Sequence, residues 1–462
     1  MQHQKDEITK NPQYILMLPT WEKQRICYAG EVAVKEAGAL FLPKTESQEL
    51  DNNRGISRYN KYKARAVFYE YLSDVITAML GVMQSEDTVI ETPARIELIK
   101  TDATLEGESL PAVYRVGLFN QLLYGRFGML LDLAGNESNI TPHIVYYNTQ
   151  KIVDWSLIDG VLKFVILDET TTEFDKDEKE WVKVVQFRII ALDIAGVYYS
   201  TTVNAQQYHD FDFDNPNAEV IYPELAGKRL NEIPFVFINA TNILSDVQKP
   251  PLTGLTDTSL AIYRGEADYR HELFMNAQAT LFTKGLSSKG DIHIGAGAAI
   301  NAKNTEADAK WLELSGNGLT EMRESQNGLH AKAISMGISL FEGATESGAA
   351  LTTRLSVKTA NMAEIAKTNA AGFKKLLDIA AEWVGASIDE VVITPNLDFT
   401  SSTVMAQELV ALWNAILQGA PLSHKSFHEY LRKNDFTELD WEVEQEEIEL
   451  QKDIITNVGT GI

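Results

Sequence analysis

The strongest constraint on this chain lies in its middle, where two long helical stretches flank a β-like excursion. Residues 254–278 read as one helix, 279–318 as a compact β-like segment and 319–340 as a second helix. In the second helix Leu319, Met322, Gln326, Leu329, Ala333, Met336 and Leu340 recur at alternating spacings of three and four. That spacing makes a narrow seam facing a neighbour. A small-residue loop follows, Phe341-Glu342-Gly343-Ala344-Thr345-Glu346-Ser347-Gly348-Ala349-Ala350. A helix of about thirty residues comes next, well above the usual mean length. This order suits one segment of a ring-shaped assembly and fits an enzyme pocket poorly.

At 462 residues the chain holds roughly three domains' worth of core. No stretch approaches the roughly twenty apolar residues of a membrane span, and Met1-Gln2-His3-Gln4-Lys5-Asp6 has no apolar signal core. The expectation is a protein made and used inside a cell, or in a particle assembled there. Cys27 is the only cysteine, which excludes an intrachain disulfide and a cysteine-based zinc site. It reads as a small buried apolar group near a strand. The net charge is −24, the wrong sign for a protein that grips nucleic acid by neutralising phosphates. Acid concentrates at 168–180 and 435–449; the first run reads as a solvated hairpin tip.

The first fifty-odd residues read as irregular. Ser57 is placed to cap a helix to about residue 84, with Tyr62, Ala66, Tyr69, Leu72, Ile76, Met79 and Met83 on one stripe. A second helix is expected at 108–124 and a strand at 127–133. From 143 to 203 the pattern is β, with strands at 161–167, 181–192 and 197–203 and a hairpin turn at Asp159-Gly160. Another strand falls at 233–238, and Pro250-Pro251 marks the main boundary. The helix that follows is polar in its middle (Arg264 to His271), which predicts exposure or ion pairs with identical copies. Beyond the long helix come a strand at 391–399 and helices at 402–417, 424–432 and 439–452.

Motifs for chemistry are weak. Gly295-Ala296-Gly297-Ala298-Ala299-Ile300 lacks the third glycine and the crossover helix of a dinucleotide site, and no Gly-x4-Gly-Lys-Ser/Thr is present. His424 and His428 share a helix face at i and i+4, but Lys425 stands where a metalloprotease has glutamate, so two surface histidines is the expected reading. No Gly-x-Ser-x-Gly elbow is present, and abundant carboxylates are not a paired site. No enzyme activity, cofactor or metal is expected. A hydrolase using clustered carboxylates and a soluble binding module that acts as an adaptor stand as alternatives.

A series of short motifs then resembles tailed-phage portal proteins, in particular a phage-encoded family known only by an unknown-function label. The matching residues are Trp21, Gly30-Glu31-Val32-Ala33-Val34-Lys35, Phe41-Leu42-Pro43-Lys44 and Tyr59-x-x-Tyr62-x-x-Arg65-Ala66. The series continues with Leu123-Tyr124-Gly125-Arg126-Phe127-Gly128-Met129-Leu130-Leu131-Asp132, Ile152-Val153-Asp154-Trp155, Ile233-Pro234-Phe235 and Pro250-Pro251-Leu252. It ends with Ala261-Ile262-Tyr263-Arg264-x-x-Ala267-Asp268 and Ser315-Gly316-Asn317-Gly318-Leu319.

The resemblance implies an α+β portal fold and a ring of usually twelve identical subunits at one capsid vertex, through which double-stranded DNA passes without sequence specificity. On that pattern 1–253 is the N-terminal region and α/β wing, and 254–278 and 319–340 are stem helices. The clip is 279–318, the channel loop 341–353, the long wing helix and strand 354–400, and the helical crown 401–462. Glu342, Gly343, Thr345, Glu346, Ser347 and Gly348 are then the expected DNA-channel loop. Lys284, Lys289, Asp291 and Lys303 are the expected partner-binding clip residues. Implied partners are the large terminase, the head–tail adaptor, and the major capsid and scaffolding proteins. The implied location is the virion, after assembly in the host cytoplasm.

Overall fold

Asn11 opens the first helix, α1 (Pro12–Tyr28), its side chain accepting from the Gln13 amide at 3.0 Å. Pro12 sits in the first turn, where a missing amide costs nothing. The N-terminal segment expected to be irregular is therefore helical, and Cys27 lies on a helix, not near a strand. The computed structural model describes residues 8–49, 52–133, 142–216, 219–225, 227–277, 280–285, 306–312, 317–336, 348–397, 399, 413–414, 416, 418, 423–433, 437 and 439–448. The chain divides into two compact units, Met1–Leu397 and Asp398–Ile462.

In the first unit α2 (Glu31–Ala37), α3 (Glu46–Glu49), α4 (Asn52–Arg65) and α5 (Tyr71–Met83) follow α1. The one helix expected from 57 to 84 is thus two, separated by a non-helical stretch at 66–70. The apolar stripe misleads there because Ala66, Phe68 and Leu72 are buried on both sides of the break. Ser109 caps α6 (Leu110–Tyr124), which ends on Gly125 in the left-handed region at φ 74°.

The strands are β1 (Val89–Glu91), β2 (Arg126–Asp132), β3 (His143–Asn148), β4 (Ile152–Ile158), β5 (Val161–Asp168), β6 (Thr171–Asp175), β7 (Glu180–Val184), β8 (Phe187–Leu192) and β9 (Tyr198–Val203). After the short α7 (Ala205–His209) come β10 (Glu224–Leu225), β11 (Lys228–Arg229) and β12 (Phe235–Asn239). Two antiparallel sheets result, in the orders β12-β2-β3 and β4-β5-β8-β9. Asp159 and Gly160 turn between β4 and β5 with φ of 53° and 78°, as a two-residue hairpin requires. The strand expected at 181–192 is interrupted at 185–186, so β6 and β7 form a separate ribbon beyond the β5–β8 pair.

The chain continues through α8 (Thr253–Asn276), β13 (Thr280–Lys284), β14 (Asp308–Leu312), α9 (Asn317–Met336), α10 (Gly348–Trp383) and β15 (Val392–Thr394), which pairs with β1. No boundary falls at Pro250-Pro251, because α8 packs on α1, α4 and α5. The fold is α+β, with α10 lying across β12, α6 and β2. Phe373 of α10 is fully buried, its ring 5.1 Å from Tyr114 and 6.4 Å from Phe127. Gly372 permits this approach: a Cβ there would lie 2.2 Å from Cδ1 of Ile238 on β12.

Residues quoted separately for the resemblance meet at the start of β2. Trp21 donates from Nε1 to the Tyr124 carbonyl at 3.1 Å. Arg126 is fully buried, its guanidinium stacked on Trp155 at 4.1 Å and on Phe237 at 4.5 Å. Gly125 backs onto Pro250, where a Cβ would come within 3.0 Å of the Pro250 Cα. These residues hold α1, β2, β4, β12 and the entry to α8 together, which is a packing role.

The single thiol gives a direct check of this packing. Cys27 is fully buried, and burial pushes its pKa up to about 12. The native chain is expected to react with a water-soluble disulfide reagent at pH 8 at least about a hundredfold more slowly than the urea-unfolded chain. Because the folded thiol holds its proton to higher pH than the unfolded one, native stability falls as pH rises above about 9. Equal labelling rates in the two states would show that α1 is not seated as described.

The second unit contains α11 (His424–Lys433) and a further helical run at 441–448. Phe427 of α11 lies 5.1 Å from Trp413, and His428 lies 5.3 Å from Trp441.

Candidate assembly module

The base of α8 is pinned by polar contacts rather than by a side-chain cap. The Gln24 side chain on α1 bridges to Thr253 and Thr256, and the Thr253 hydroxyl returns to the Pro250 carbonyl at 2.7 Å. Ile262, Tyr263 and Ala267 are buried. Gly265 lets α8 and α9 close up, since a Cβ there would overlap the Gln326 amide.

Part of the polar middle of α8 is exposed as expected, at Arg264 and Asp268, but Glu266 is buried and satisfied within the chain. Glu266 is buried and pairs with Arg270 at 2.7 Å, and its other oxygen lies 4.0 Å from His330 Nε2 on α9. His330 Nδ1 meets the Tyr71 hydroxyl at 2.7 Å. Tyr62 on α4 donates to Asp268, and Arg65 reaches His271 Nδ1 at 3.1 Å. The hydrogen bond to Glu266 holds the Arg270 guanidinium above its ordinary range. A buried carboxylate needs such partners, and Arg270 one turn along α8 and His330 on α9 supply them to Glu266.

The seam of α9 is only partly used by this contact. Gln326 and Ala333 are buried, Leu319, Met322 and Leu329 are half-buried, and Met336 is exposed; Leu340 lies outside the described residues. At the far end of α8 Glu272, Leu273, Phe274 and Met275 are exposed in succession, although the Arg65 guanidinium lies over the Phe274 ring at 4.3 Å. The β13–β14 hairpin carries Phe282 and Trp311, also exposed. Leu273, Phe274, Met275, Phe282 and Trp311 each leave 40–49% of their surface open.

The other expected site residues are placed as follows. Lys284 ends β13, exposed and opposite Asp308. Lys289, Asp291 and Lys303 lie outside the described residues, as do Glu342, Gly343, Thr345, Glu346 and Ser347 and the glycine motif at 295–300. Gly348 is the first residue of α10, so 348–353 are helical rather than loop; the alanine-rich run there favours helix. His428 is buried against Trp441, with Glu444 at 3.9 Å, so the expectation of two surface histidines is corrected at that position. Among the described residues no cluster of three or more His, Cys, Asp or Glu side chains is arranged for a metal. No described helix is long and apolar enough to cross a membrane.

Residues 251–384 match the family described as "Domain of unknown function (DUF4055)", under a third of the chain. No curated protein matches the sequence. Among solved structures, a chain of "Neck of native GTA particle computed with C12 symmetry" aligns at 12% identity with a TM-score of 0.38. The alignment covers 78% of this chain and 89% of that one. A chain of "Neck of empty GTA particle computed with C6 symmetry" gives 13% and 0.38 over 84% and 93%. One from "Virion of native gene transfer agent (GTA) particle" gives 12% and 0.39 over 78% and 88%. Similarity at this level does not establish a shared architecture.

Proposed function

We propose that this chain is a portal, or head–tail connector, protein. Identical copies close into a ring of about twelve at one capsid vertex, and the channel passes double-stranded DNA during packaging and ejection. The α8–α9 pair forms the stem and the β13–β14 region the clip, which docks the terminase and later the tail adaptor. The segment between α9 and α10 lines the channel. The ordered series of motifs from Trp21 to Leu319 supports this reading, and the helix–hairpin–helix module agrees with it.

The observation that carries it is the set of exposed large apolar side chains in this module. Leu273, Phe274 and Met275 are exposed at the end of α8, and Phe282 and Trp311 are exposed on the two faces of the β13–β14 pair. A surface of this kind marks a contact with another chain, and a head-to-tail contact repeated around an axis closes a ring. The acidic total suits a conduit that must not retain DNA.

Mass photometry with negative-stain imaging of the purified full-length chain tests the proposal. The expected result is a ring near twelve subunits with an axial hole. A species that stays monomeric or dimeric, in the presence as well as the absence of its scaffolding protein, would overturn it.

A further inference from the structure

One helix face on this strongly acidic chain is basic and has no carboxylate on it. In α4 the exposed residues Arg54, Arg58 and Lys61 recur at i, i+4 and i+7 and so share one line along the helix. None of the ion pairs formed among the described residues includes Arg54, Arg58 or Lys61. Arg65, one turn beyond Lys61 on the same line, and Tyr62 beside it are engaged by α8, so the open part of the stripe is Arg54, Arg58 and Lys61. Among the described residues Arg54, Arg58 and Lys61 therefore have no carboxylate partner, in a molecule of net charge −24.

A complementary face exists on the β6–β7 ribbon. The register pairs Glu173 with Val182, Asp175 with Glu180 and Thr171 with Val184, which puts those six side chains on one face. Phe174 and Trp181 stack on the other face with ring centroids 5.5 Å apart. Asp175 accepts from the Asp177 and Glu178 amides, and it sits directly opposite Glu180, a like-charge pair that a cationic partner relieves. The spacings agree: Arg54 to Arg58 spans about 6 Å along a helix, and Glu173 to Asp175 spans about 6.8 Å along a strand.

We propose that the ribbon of one copy lies on the α4 face of its neighbour, with Glu173, Asp175 and Glu180 against Arg54, Arg58 and Lys61. The contact joins two different surfaces, so it is the heterologous kind that closes rings. It rests on the ring reading for its biological setting but not for its test.

Two charge-reversed variants supply that test: R54E/R58E/K61E, and E173K/D175K/E180K. Each alone places like charges across the contact, and its assembled fraction at low salt should fall at least about tenfold. Mixed, the two variants should recover assembly, because each reversed face then meets its complement on the other chain. Native mass spectrometry should show the two chains alternating. High salt should weaken the wild-type and mixed assemblies alike.

Variants that assemble like wild type would overturn the contact while leaving the ring reading in place. Small open oligomers of wild type, lost in each variant and restored on mixing, would keep the contact and remove the closed ring. Association absent in wild type and in the mixture would remove both. If R54E/R58E/K61E assembles normally but loses binding to a fluorescent DNA duplex, the stripe is a phosphate contact and the proposal fails.

Discussion

Phe373→Ala is expected to cost about 3–5 kcal/mol of stability, a large share of the few to about fifteen that hold a domain together. The ring is fully buried where α10 crosses the α6–β2–β12 layer, with Tyr114 and Phe127 around it. Those neighbours are themselves fixed. Tyr114 donates to the Ala366 carbonyl at 3.1 Å, and its own carbonyl accepts from Asn369 Nδ2 at 3.0 Å. The site therefore has little freedom to collapse into the space left by the ring, and the cavity term adds to the lost transfer energy. Urea unfolding of the full chain reads the effect as a lowered midpoint. Trp181→Ala serves as the control: that ring is 70% exposed on the ribbon, and its loss should move stability by no more than about 0.5 kcal/mol. A Phe373→Ala variant within about 1 kcal/mol of wild type would mean that α10 is not seated on this sheet.

Much of the architecture could be read from periodicity and turn chemistry. The Asp159-Gly160 hairpin, α6 with its following strand, and the sequence of long helices around residues 254–336 are local patterns with local causes. The failures have local causes too. The stripe from Tyr62 to Met83 remains apolar through 66–70 because that stretch is itself core, so nothing in the pattern announces the break. The first forty residues lack a clean stripe because α1 buries Gln24 for its hydrogen bonds to α8 as well as Trp21 for its bulk. Glu266, Asp268 and His271 look like an exposed face because, apart from Arg270 one turn along α8 itself, their partners His330, Tyr62 and Arg65 come from two other elements, α9 and α4.

The candidate site was less legible than the fold. The spacing of Leu319 to Met336 identifies a seam but not its owner, and α8 of the same chain takes Gln326 and Ala333. What remains open is the far end of α8, which periodicity marked only as part of a long helix. The basic stripe of α4 was hidden by the total charge: five basic residues between 54 and 65 vanish in a sum of −24. Sorting the residues of each helix by face, rather than by domain total, would have exposed it.

Leu273→Asp combined with Met275→Asp is expected to abolish ring formation while leaving the single chain folded. In the isolated chain these side chains are 47% and 45% exposed, so two carboxylates there remain in water and the unfolding midpoint should hardly move. If the distal stem is covered by a neighbour, the same carboxylates enter an apolar contact with no cation assigned to them. Burying an unpaired ion costs several kcal/mol even after relaxation. Each subunit contact would then weaken by at least about a hundredfold, since every 1.4 kcal/mol is tenfold. A ring needs every contact at once, so the loss should appear as a collapse to monomer in mass photometry. Circular dichroism and thermal unfolding of that monomer should match wild-type monomer. The choice of Leu273 and Met275 is deliberate: Phe274 carries the Arg65 guanidinium on its face at 4.3 Å, and its loss would disturb the packing of α4 on α8. Rings that persist in the double variant would remove the distal stem from the interface. A double variant that fails to fold would show instead that these two side chains are already covered within the chain.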